Sequence, residues 1–504
     1  MGKDVRELLV ELSVIIISMQ SKVRIALLLS ILFVLALGLV YWWNVPRLLV
    51  VSPSDGAANV SAATTLRLVF SRPMLDDSVV EGLAIEPSIP GTFSWERNVL
   101  VFTPNMPWPS GATVKVWLKA GSRSSNLLSL PMSQEVNWSF TIGQPRLAFL
   151  FPANQPAQIY ILDPSTGESE TVTDVPGGVQ DFDVSADGAI IYFSAQDTQE
   201  GSSIYRLDLS SQSQASIPRI GSPTATPNNS VPILECPQAS CQILAISPKA
   251  DFLAIERSAF LGGDRSEYPQ IWIAPLPGIE AASSPMLEDA LVIAGDPNHQ
   301  TLMPAWSTEG LLVFYDVDAA QFVFLDPREG ERARFSNQTG QQGAWHPNGR
   351  YFLAPEIFFP DAGFSATLPE MKSLAESHLI LFDWQSGVTQ DLTAGEGIED
   401  AAPAYSPDGS LLAFARKYLD ANRWTPGRQI WLMDMESGQT RPLTDDPLYN
   451  HFDFAWSPSG DRLAYVQFNQ STMTRPPEIW MVDPHTSQAM RLIEGGYSPL
   501  WLSP

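Results

Sequence analysis

The chain of 504 residues is poor in the side chains on which most metal sites and active sites depend. It has two cysteines and five scattered histidines, at positions 299, 346, 378, 451 and 485. Gly-x-Ser-x-Gly and His-Glu-x-x-His motifs, phosphate-binding loops, EF-hand loops and Cys-x-x-Cys pairs are all missing. We therefore predict no catalytic residue, no metal site and no cofactor, although an enzyme built from other residues stays open.

Basic residues are also scarce. The chain has 30 Lys and Arg against 55 Asp and Glu, for a net charge of −25. Residues 1–143 are nearly neutral, with 11 basic and 10 acidic side chains, whereas residues 144–504 have 19 and 45. So acidic a body repels phosphate backbones, which excludes nucleic acid as the expected partner. The acidity serves either solubility or the binding of a basic partner.

One long run lacks charge altogether. Ile25–Trp43 is 19 residues long and ends in the aromatic residues Tyr41, Trp42 and Trp43, which suit a membrane interface. The basic residues just before it predict a cytoplasmic tail (1–24), a single transmembrane helix (25–43) acting as a signal anchor, and an extracytoplasmic remainder at the cell membrane. A cleaved signal peptide is the rival interpretation, but no clear cleavage site precedes the aromatic residues. The true start is either Met1 or Met19.

The two cysteines lie close together, in "CPQASC" (236–241). In an exported protein, Cys236 and Cys241 are expected to form a disulfide that closes a small loop. Two unpaired thiols are the alternative. A metal site would need further ligands nearby, and the sequence has none there.

Residues 47–143 contain about seven short runs that alternate apolar with polar residues and are separated by Pro and Gly. Such a pattern over about 100 residues is typical of a β-sandwich. The segments "VSPSDGAANVSAATTLRLVFSRPM", "GTFSWERNVLVFTPNMPWPSGATVKVWL" and "NWSFTI" resemble the bacterial Ig-like domain typified by the surface-layer protein SbsA. The resemblance implies a spacer or adhesion module without chemistry of its own.

From residue 146 onward the chain repeats. A small apolar strand ends in a turn such as "AYSPDG", a second apolar strand follows, and a third, such as "QIWLMD", leads to Asp and another turn. The third strands begin at 158, 203, 270, 321, 378, 429 and 478. A four-stranded repeat of roughly 40–50 residues is the period of a β-propeller. The aspartates that end these strands are therefore expected to cap turns rather than to act as catalytic carboxylates.

These motifs resemble the TolB-like, WD-repeat-like propeller family over residues 146–504. The resemblance implies an extracytoplasmic platform that binds other proteins. The final segment "SPLWLSP" supplies only a first strand, and the segment from Arg146 lacks one. Joined, they complete a blade, so the expected fold is all-β: a transmembrane helix, an Ig-like sandwich and a seven-bladed propeller closed by a C-terminal strand.

Strand alternation places the connections between second and third strands on one face of the propeller, and these connections vary most. Variable loops on a regular scaffold are where binding tends to reside. Aromatic and Arg side chains are favoured at interaction hot spots. The candidate binding residues are Arg265, Tyr268, Phe359, Phe364, Arg423, Trp424, Arg428 and Arg475. The alternative, that these insertions are tolerated decoration, is equally open.

Four aspartates begin innermost strands and are expected at the channel mouth on the same face: Asp181, Asp183, Asp400 and Asp453. Solvated carboxylates are the expectation there, and a weak cation site is the alternative. Together these features predict a membrane-anchored binding or scaffold protein that contacts an extracytoplasmic protein or another envelope component. The alternative function is a hydrolase or lyase acting on cell-surface glycan or peptide through the central pocket.

Overall fold

The computed structural model describes residues 21–62, 64–126, 129–196, 201–209, 230–261, 264–265, 268–276, 291–359, 375–472 and 474–504. Over these residues the protein is all-β apart from two helices. The chain divides into two compact parts, residues 1–143 and 144–504. They are called the Ig-like part and the propeller part below.

The Ig-like part begins with helix α1 (Ser21–Asn44), which contains the charge-free run. Taken over the described residues alone, no helix has the length and hydropathy needed to cross a membrane. The tail 1–20, with the alternative start Met19, lies outside the described residues.

Two sheets follow α1, with strand orders β1-β2-β5-β4 and β3-β6-β7. The elements are β1 Leu48–Ser52, β2 Leu66–Phe70, α2 Asp76–Val80, β3 Leu83–Glu86, β4 Gly91–Glu96, β5 Val99–Pro104, β6 Thr113–Leu118 and β7 Val136–Thr141. Successive side chains of a strand point to opposite faces, so every second residue of β2 and β6 is buried in a core that the two sheets share. Trp108 is buried there, and its indole nitrogen donates to the Thr64 carbonyl at 2.8 Å. The arrangement is the predicted β-sandwich.

Over its described residues the propeller part has six sheets, none closed on itself. They supply seven four-stranded antiparallel groups, each called a blade; one sheet joins two of these groups, and another has an additional short strand. Blade 7 joins β8 Arg146–Phe151, β9 Gln158–Asp163 and β10 Glu168–Thr171 to the last strand, β36 Tyr497–Leu502. Blade 1 has β11 Val179–Val184, β12 Ile190–Gln196, β13 Gly201–Asp208 and β14 Ser230–Pro237. Blade 2 has β15 Ala239–Ile246, β16 Phe252–Leu261, the short β17 Asp264–Arg265, β18 Gln270–Pro275 and β19 Val292–Ile293.

The other four blades follow the same order. Blade 3 has β20 Thr301–Trp306, β21 Leu312–Asp316, β22 Gln321–Asp326 and β23 Gly330–Ser336. Blade 4 has β24 Ala344–Trp345, β25 Tyr351–Phe358, β26 Glu376–Asp383 and β27 Thr389–Asp391. Blade 5 has β28 Ile398–Tyr405, β29 Leu411–Tyr418, β30 Gln429–Asp434 and β31 Thr440–Pro442. Blade 6 has β32 Tyr449–Trp456, β33 Leu463–Asn469, β34 Glu478–Val482 and β35 Ala489–Glu494.

Consecutive blades pack through their first strands, and β36 of blade 7 contacts both β32 and β11. The second strand of each blade is buried on both sides, as in β21, where all five residues are buried. This explains the continuous apolar runs at those positions in the sequence. Blades 4 and 5 are further linked by one parallel bridge, between Ser377 and Glu399.

Four tryptophans fasten neighbouring blades together. Each is the last or the second-last residue of the first strand of its blade and donates its indole N–H to an alanine carbonyl in the first strand of the preceding blade. The pairs are Trp306 to Ala245 at 3.0 Å, Trp345 to Ala305 at 3.3 Å, Trp456 to Ala404 at 3.0 Å and Trp501 to Ala455 at 3.0 Å. We call this set the indole ladder. It gives each of these interfaces a satisfied polar contact inside apolar packing.

Candidate functional site

The turns between first and second strands of neighbouring blades touch one another. A side chain at the turn glycine of one blade would contact the preceding blade's turn: Gly349 would meet Glu309, Gly409 would meet His346, Gly460 would meet Pro407, and Gly188 would meet Ser503. These turns therefore share one side, called the turn face. Because the strands are antiparallel, the connections between second and third strands leave from the opposite side, called the loop face.

On the turn face the repeated aspartates hold their own hairpins. Carboxylates after the third strands accept hydrogen bonds of 2.8–3.1 Å from backbone amides two or three residues further along. The residues are Asp163, Asp326, Asp383, Asp434 and Asp483. The predicted turn-capping role is confirmed for these five aspartates, whose carboxylates stabilise their own turns.

Three of the candidate binding residues are large aromatic side chains exposed on connections of the loop face. The exposed fractions are 72% for Tyr268, 68% for Phe359 and 54% for Trp424. Arg475 is also exposed and makes no ion pair with a described residue. Of Arg265 the structure describes only the backbone, in β17, and Phe364 lies outside the described residues.

The connection between β29 and β30 carries the densest cluster of cationic and aromatic side chains among the described loops. Arg423 stacks its guanidinium over the Tyr418 ring at 3.9 Å and donates through Nε to Asp420 at 2.7 Å. Lys417 places its ammonium 4.9 Å from the centre of the Trp424 ring. Sequence reasoning missed Lys417 and Tyr418, because they belong to the strand before the loop. The run "RKYLDANRW", with cations and aromatics on both sides of a turn, is the signal that could have found them.

Arg428 does not face the solvent as a contact residue would. Its guanidinium is half-buried and forms an ion pair with Glu399. Its carbonyl accepts a hydrogen bond from Nδ1 of His451 in blade 6 at 2.7 Å. Burial lowers the pKa of His451, so this ring is neutral when it donates. Arg428 therefore joins blades 5 and 6, and its role in binding stays a prediction.

Asp181 and Asp183 fasten blade 1 to blade 2. One carboxylate oxygen of Asp181 accepts the Leu244 amide at 2.9 Å, and one of Asp183 accepts the Ile246 amide at 2.8 Å. Burial raises the pKa of Asp181 to about 7, in spite of the Leu244 amide, and the nearby Asp183 charge adds to the rise. Burial likewise raises the pKa of Asp183 to about 6.

The other two predicted channel-mouth carboxylates are also engaged. Asp400 is fully buried and makes a bidentate ion pair with Arg416, with both distances 2.7 Å. Asp453 is exposed, but its carboxylate is hydrogen-bonded by the backbone amide of Ser498 in blade 7. Asp400 is therefore shielded from solvent, contrary to the expectation for that residue, whereas Asp181, Asp183 and Asp453 accept hydrogen bonds from a neighbouring blade and their place at a channel mouth stays a prediction. Among the described residues no group of His, Cys, Asp and Glu is arranged to hold a metal ion.

Cys236 and Cys241 form a disulfide bond in the structure. Cys236 belongs to β14, the outermost strand of blade 1, and Cys241 to β15, the innermost strand of blade 2. Both are buried, in the same apolar cluster as Leu234 and Leu244. The bond therefore closes the tight link between two blades and adds to the fastening made by Asp181 and Asp183.

A groove of about 520 Å³ opens between blades 3 and 4, away from the first strands. Phe335, Phe358 and Phe382 line it together with Asp391. Behind Asp391 lies His378, whose Nδ1 is 2.8 Å from the Asp391 carboxylate and whose Nε2 is 2.9 Å from the Gly395 carbonyl. Both ring nitrogens thus face acceptors within the protein, and neither is free to take a proton from a substrate.

One family model and several solved structures are similar to this chain. Residues 44–142 match the model of the bacterial Ig-like domain, which confirms the resemblance predicted for that segment. No curated protein is significantly similar to the chain in sequence.

Solved structures similar to the chain include TolB-like and other β-propeller proteins. They include TolB from Acinetobacter baumannii, with 13% identity, coverage of 84% of this chain and 83% of that one, and a TM-score of 0.41. A protein from Lactobacillus plantarum has 12% identity, 71% and 99% coverage and a TM-score of 0.42. Dipeptidyl peptidase 4 from Porphyromonas gingivalis has 10% identity, 75% and 50% coverage and a TM-score of 0.40.

Proposed function

We propose that the protein is a membrane-anchored binding or scaffold protein of the cell envelope, and that the loop face of its propeller contacts an extracytoplasmic protein. The observation that carries the proposal is the difference between the two faces. On the turn face the repeated aspartates accept hydrogen bonds within their own hairpins, whereas on the loop face the side chains of Tyr268, Phe359 and Trp424 are exposed to solvent. Large aromatic side chains in such positions are typical of interaction hot spots.

The membrane anchor in this proposal rests on the sequence. The run Ile25–Trp43 has no charged residue, is preceded by Lys22 and Arg24, and ends in three aromatic residues. We also propose that the domain order is a cytoplasmic tail, the anchor, the Ig-like spacer and a seven-bladed propeller. In this scheme β36 closes the ring of blades, and the pairing of β36 with β8 supports it.

The alternative is a hydrolase or lyase acting on surface glycan or peptide. Such an enzyme needs carboxylates or an Arg cluster converging on an accessible pocket. Asp181, Asp183 and Asp400 instead bond to protein groups, and His378 beside the described groove has both nitrogens occupied. No described feature favours this alternative over binding.

A crosslinking capture experiment tests the proposal. The full chain, displayed in its own membrane, is compared with the triple variant Tyr268→Ala, Phe359→Ala and Trp424→Ala. The matched control replaces three exposed apolar residues outside the loop-face connections, Val292, Val388 and Met490, by Ala. We expect wild type and control to capture the same extracytoplasmic protein and the triple variant to lose at least about tenfold of it. Equal capture by all three would refute a loop-face site, and turnover of glycan or peptide would favour the enzyme.

A further inference from the structure

One connection of the loop face is rich in basic residues, although the propeller part as a whole is acidic. Residues 416–428, called the basic hairpin below, contain Arg416, Lys417, Arg423 and Arg428 but one acidic residue, Asp420. These 13 residues thus hold four of the 19 basic side chains in a part of the chain with 45 acidic ones. Four cations against Asp420 and the two carboxylates paired with the hairpin, Asp400 and Glu399, leave an excess of one positive charge. On so acidic a body such a local excess marks a place where an anionic group is attracted at short range.

The four cations are not equivalent. Arg416 and Arg428 are ion-paired with Asp400 and Glu399 and hold blade 5 together. Arg423 is 55% exposed and uses Nε alone to bond Asp420, so its two terminal amino groups donate to no described residue. Lys417 makes no ion pair with a described carboxylate and lies against the Trp424 ring. Arg423 and Lys417 are therefore the cations that can serve a partner.

Backbone contacts hold the basic hairpin in place at three points. The Trp424 amide donates to the Asp420 carbonyl at 2.9 Å, and the Leu419 amide donates to the Gly397 carbonyl at 2.8 Å. At its far end, Gly427 packs so closely on the Tyr449 carbonyl that a side chain there would collide with it. A loop held in this way loses little conformational entropy on binding, which favours affinity.

We propose that the basic hairpin is the docking site for a short acidic segment of a partner polypeptide, in which carboxylates flank an apolar or aromatic side chain. This inference rests on the proposed loop-face function and names the chemistry of its partner. The free fork of Arg423 matches a carboxylate, and Lys417 supplies a second positive charge. The exposed Trp424 ring offers an apolar surface to the side chain between them.

A short segment suits this site better than a long polyanion. Charges are screened beyond roughly 8–10 Å at physiological ionic strength, so a few carboxylates held at the hairpin sense mainly its local positive excess. A long polyanion would extend over the surrounding acidic surface and be repelled. An acidic glycan is the competing ligand class, and the experiment includes it.

The test measures binding of a fluorescein-labelled peptide with two Glu on each side of one Phe to the full chain in detergent micelles. A peptide with Gln in place of Glu and an oligomer of a uronic acid serve as comparison ligands. The binding variants are Arg423→Ala, Lys417→Ala and Trp424→Ala. The matched control is Arg332→Ala, because Arg332 and Glu329 form an exposed pair at 2.7 Å with the same i,i+3 spacing as Arg423 and Asp420.

We expect the acidic peptide to bind at least tenfold more tightly than the Gln peptide and to weaken as NaCl is raised. Binding should fall about tenfold in Trp424→Ala, about fivefold in Arg423→Ala and Lys417→Ala, and not at all in Arg332→Ala. Equal binding of both peptides, wild-type affinity in Trp424→Ala, or binding of the uronic acid oligomer alone would overturn the proposal. If the capture experiment still loses its partner in the triple variant, only this inference fails. If capture is also unchanged, the proposed function fails with it.

Discussion

The interfaces between blades are fastened in two chemically different ways. Blades 3, 4, 6 and 7 each use a tryptophan of the indole ladder, which donates to a carbonyl of the blade before it. Blade 2 has Ile246 at the corresponding position, and there the donors are backbone amides and the acceptors are side chains. Its own backbone amides donate to Asp181 and Asp183 of blade 1. A hydrogen bond from an indole has no titrating group and is insensitive to pH near neutrality, whereas a buried carboxylate with a raised pKa is sensitive to it. The propeller part therefore contains both pH-insensitive and pH-sensitive interfaces.

The largest effect should come from removing a whole interface. Deleting residues 497–504 takes away β36, which pairs with β8 and carries the Trp501 member of the ladder. Leu502, buried between blades 7 and 1, goes with it. We expect loss of the cooperative thermal transition of the propeller, or a fall in its Tm by more than about 10 °C. Differential scanning calorimetry measures this.

The control for that deletion removes only Ser503 and Pro504, which follow β36. It should lower Tm by a few degrees at most, since the strand pairing is kept. An unchanged transition after the longer deletion would show that β36 does not close the ring.

A single rung of the indole ladder should have the next largest effect. Trp456→Phe removes the donor to the Ala404 carbonyl and leaves that acceptor unpaired beside a small cavity. We expect a loss of about 3 kcal/mol in the free energy of unfolding, measured by urea denaturation. Trp424→Phe is the control and should change stability by less than about 0.5 kcal/mol, because Trp424 is exposed. Equal effects would mean that the ladder bond contributes nothing.

The carboxylate interface should show itself through pH. In the unfolded chain Asp181 loses its proton near its ordinary pKa of 3.8, whereas in the folded protein the pKa is about 7. Between these values the folded state holds more protons, so stability falls as pH rises from about 4 to 7. Asp181→Asn keeps an acceptor for the Leu244 amide without the charge. We expect it to raise stability at pH 8 by about 2 kcal/mol and to flatten the decline.

Thermal unfolding from pH 5 to pH 8 measures this slope. Asp434→Asn is the control. Hydrogen bonds from Ser437 lower the pKa of Asp434, so this carboxylate changes the stability with pH only below about pH 4. Its slope above pH 5 should equal that of wild type. A wild-type slope in Asp181→Asn would assign the pH dependence to other groups.

Contacts within one repeat could be predicted from the sequence, and contacts between repeats could not. The third strands at Gln158, Gln270, Gln321, Gln429 and Glu478 begin at the predicted residues, because the apolar pattern and the following Asp are local signals. The roles of Arg428 and Asp183 were missed because their partners in the next blade, His451 and Ile246, lie 23 and 63 residues away in sequence. Such pairs form only when blades stack, and no periodicity marks them.

The smallest effect should come from the place where the ladder is interrupted by a tyrosine. Tyr405 stands where other blades carry the ladder tryptophan, and its buried hydroxyl has no partner among the described residues. Tyr405→Phe removes that unpaired group and should stabilise the protein by about 1 kcal/mol in urea denaturation. Tyr315 is the matched control, since it is equally buried but donates to the Asn337 carbonyl at 2.8 Å. Tyr315→Phe should therefore destabilise by about 1 kcal/mol. If Tyr405→Phe destabilises the protein as Tyr315→Phe does, the Tyr405 hydroxyl has a hydrogen-bond partner in solution, and the interface between blades 4 and 5 contains a polar contact like the tryptophan interfaces.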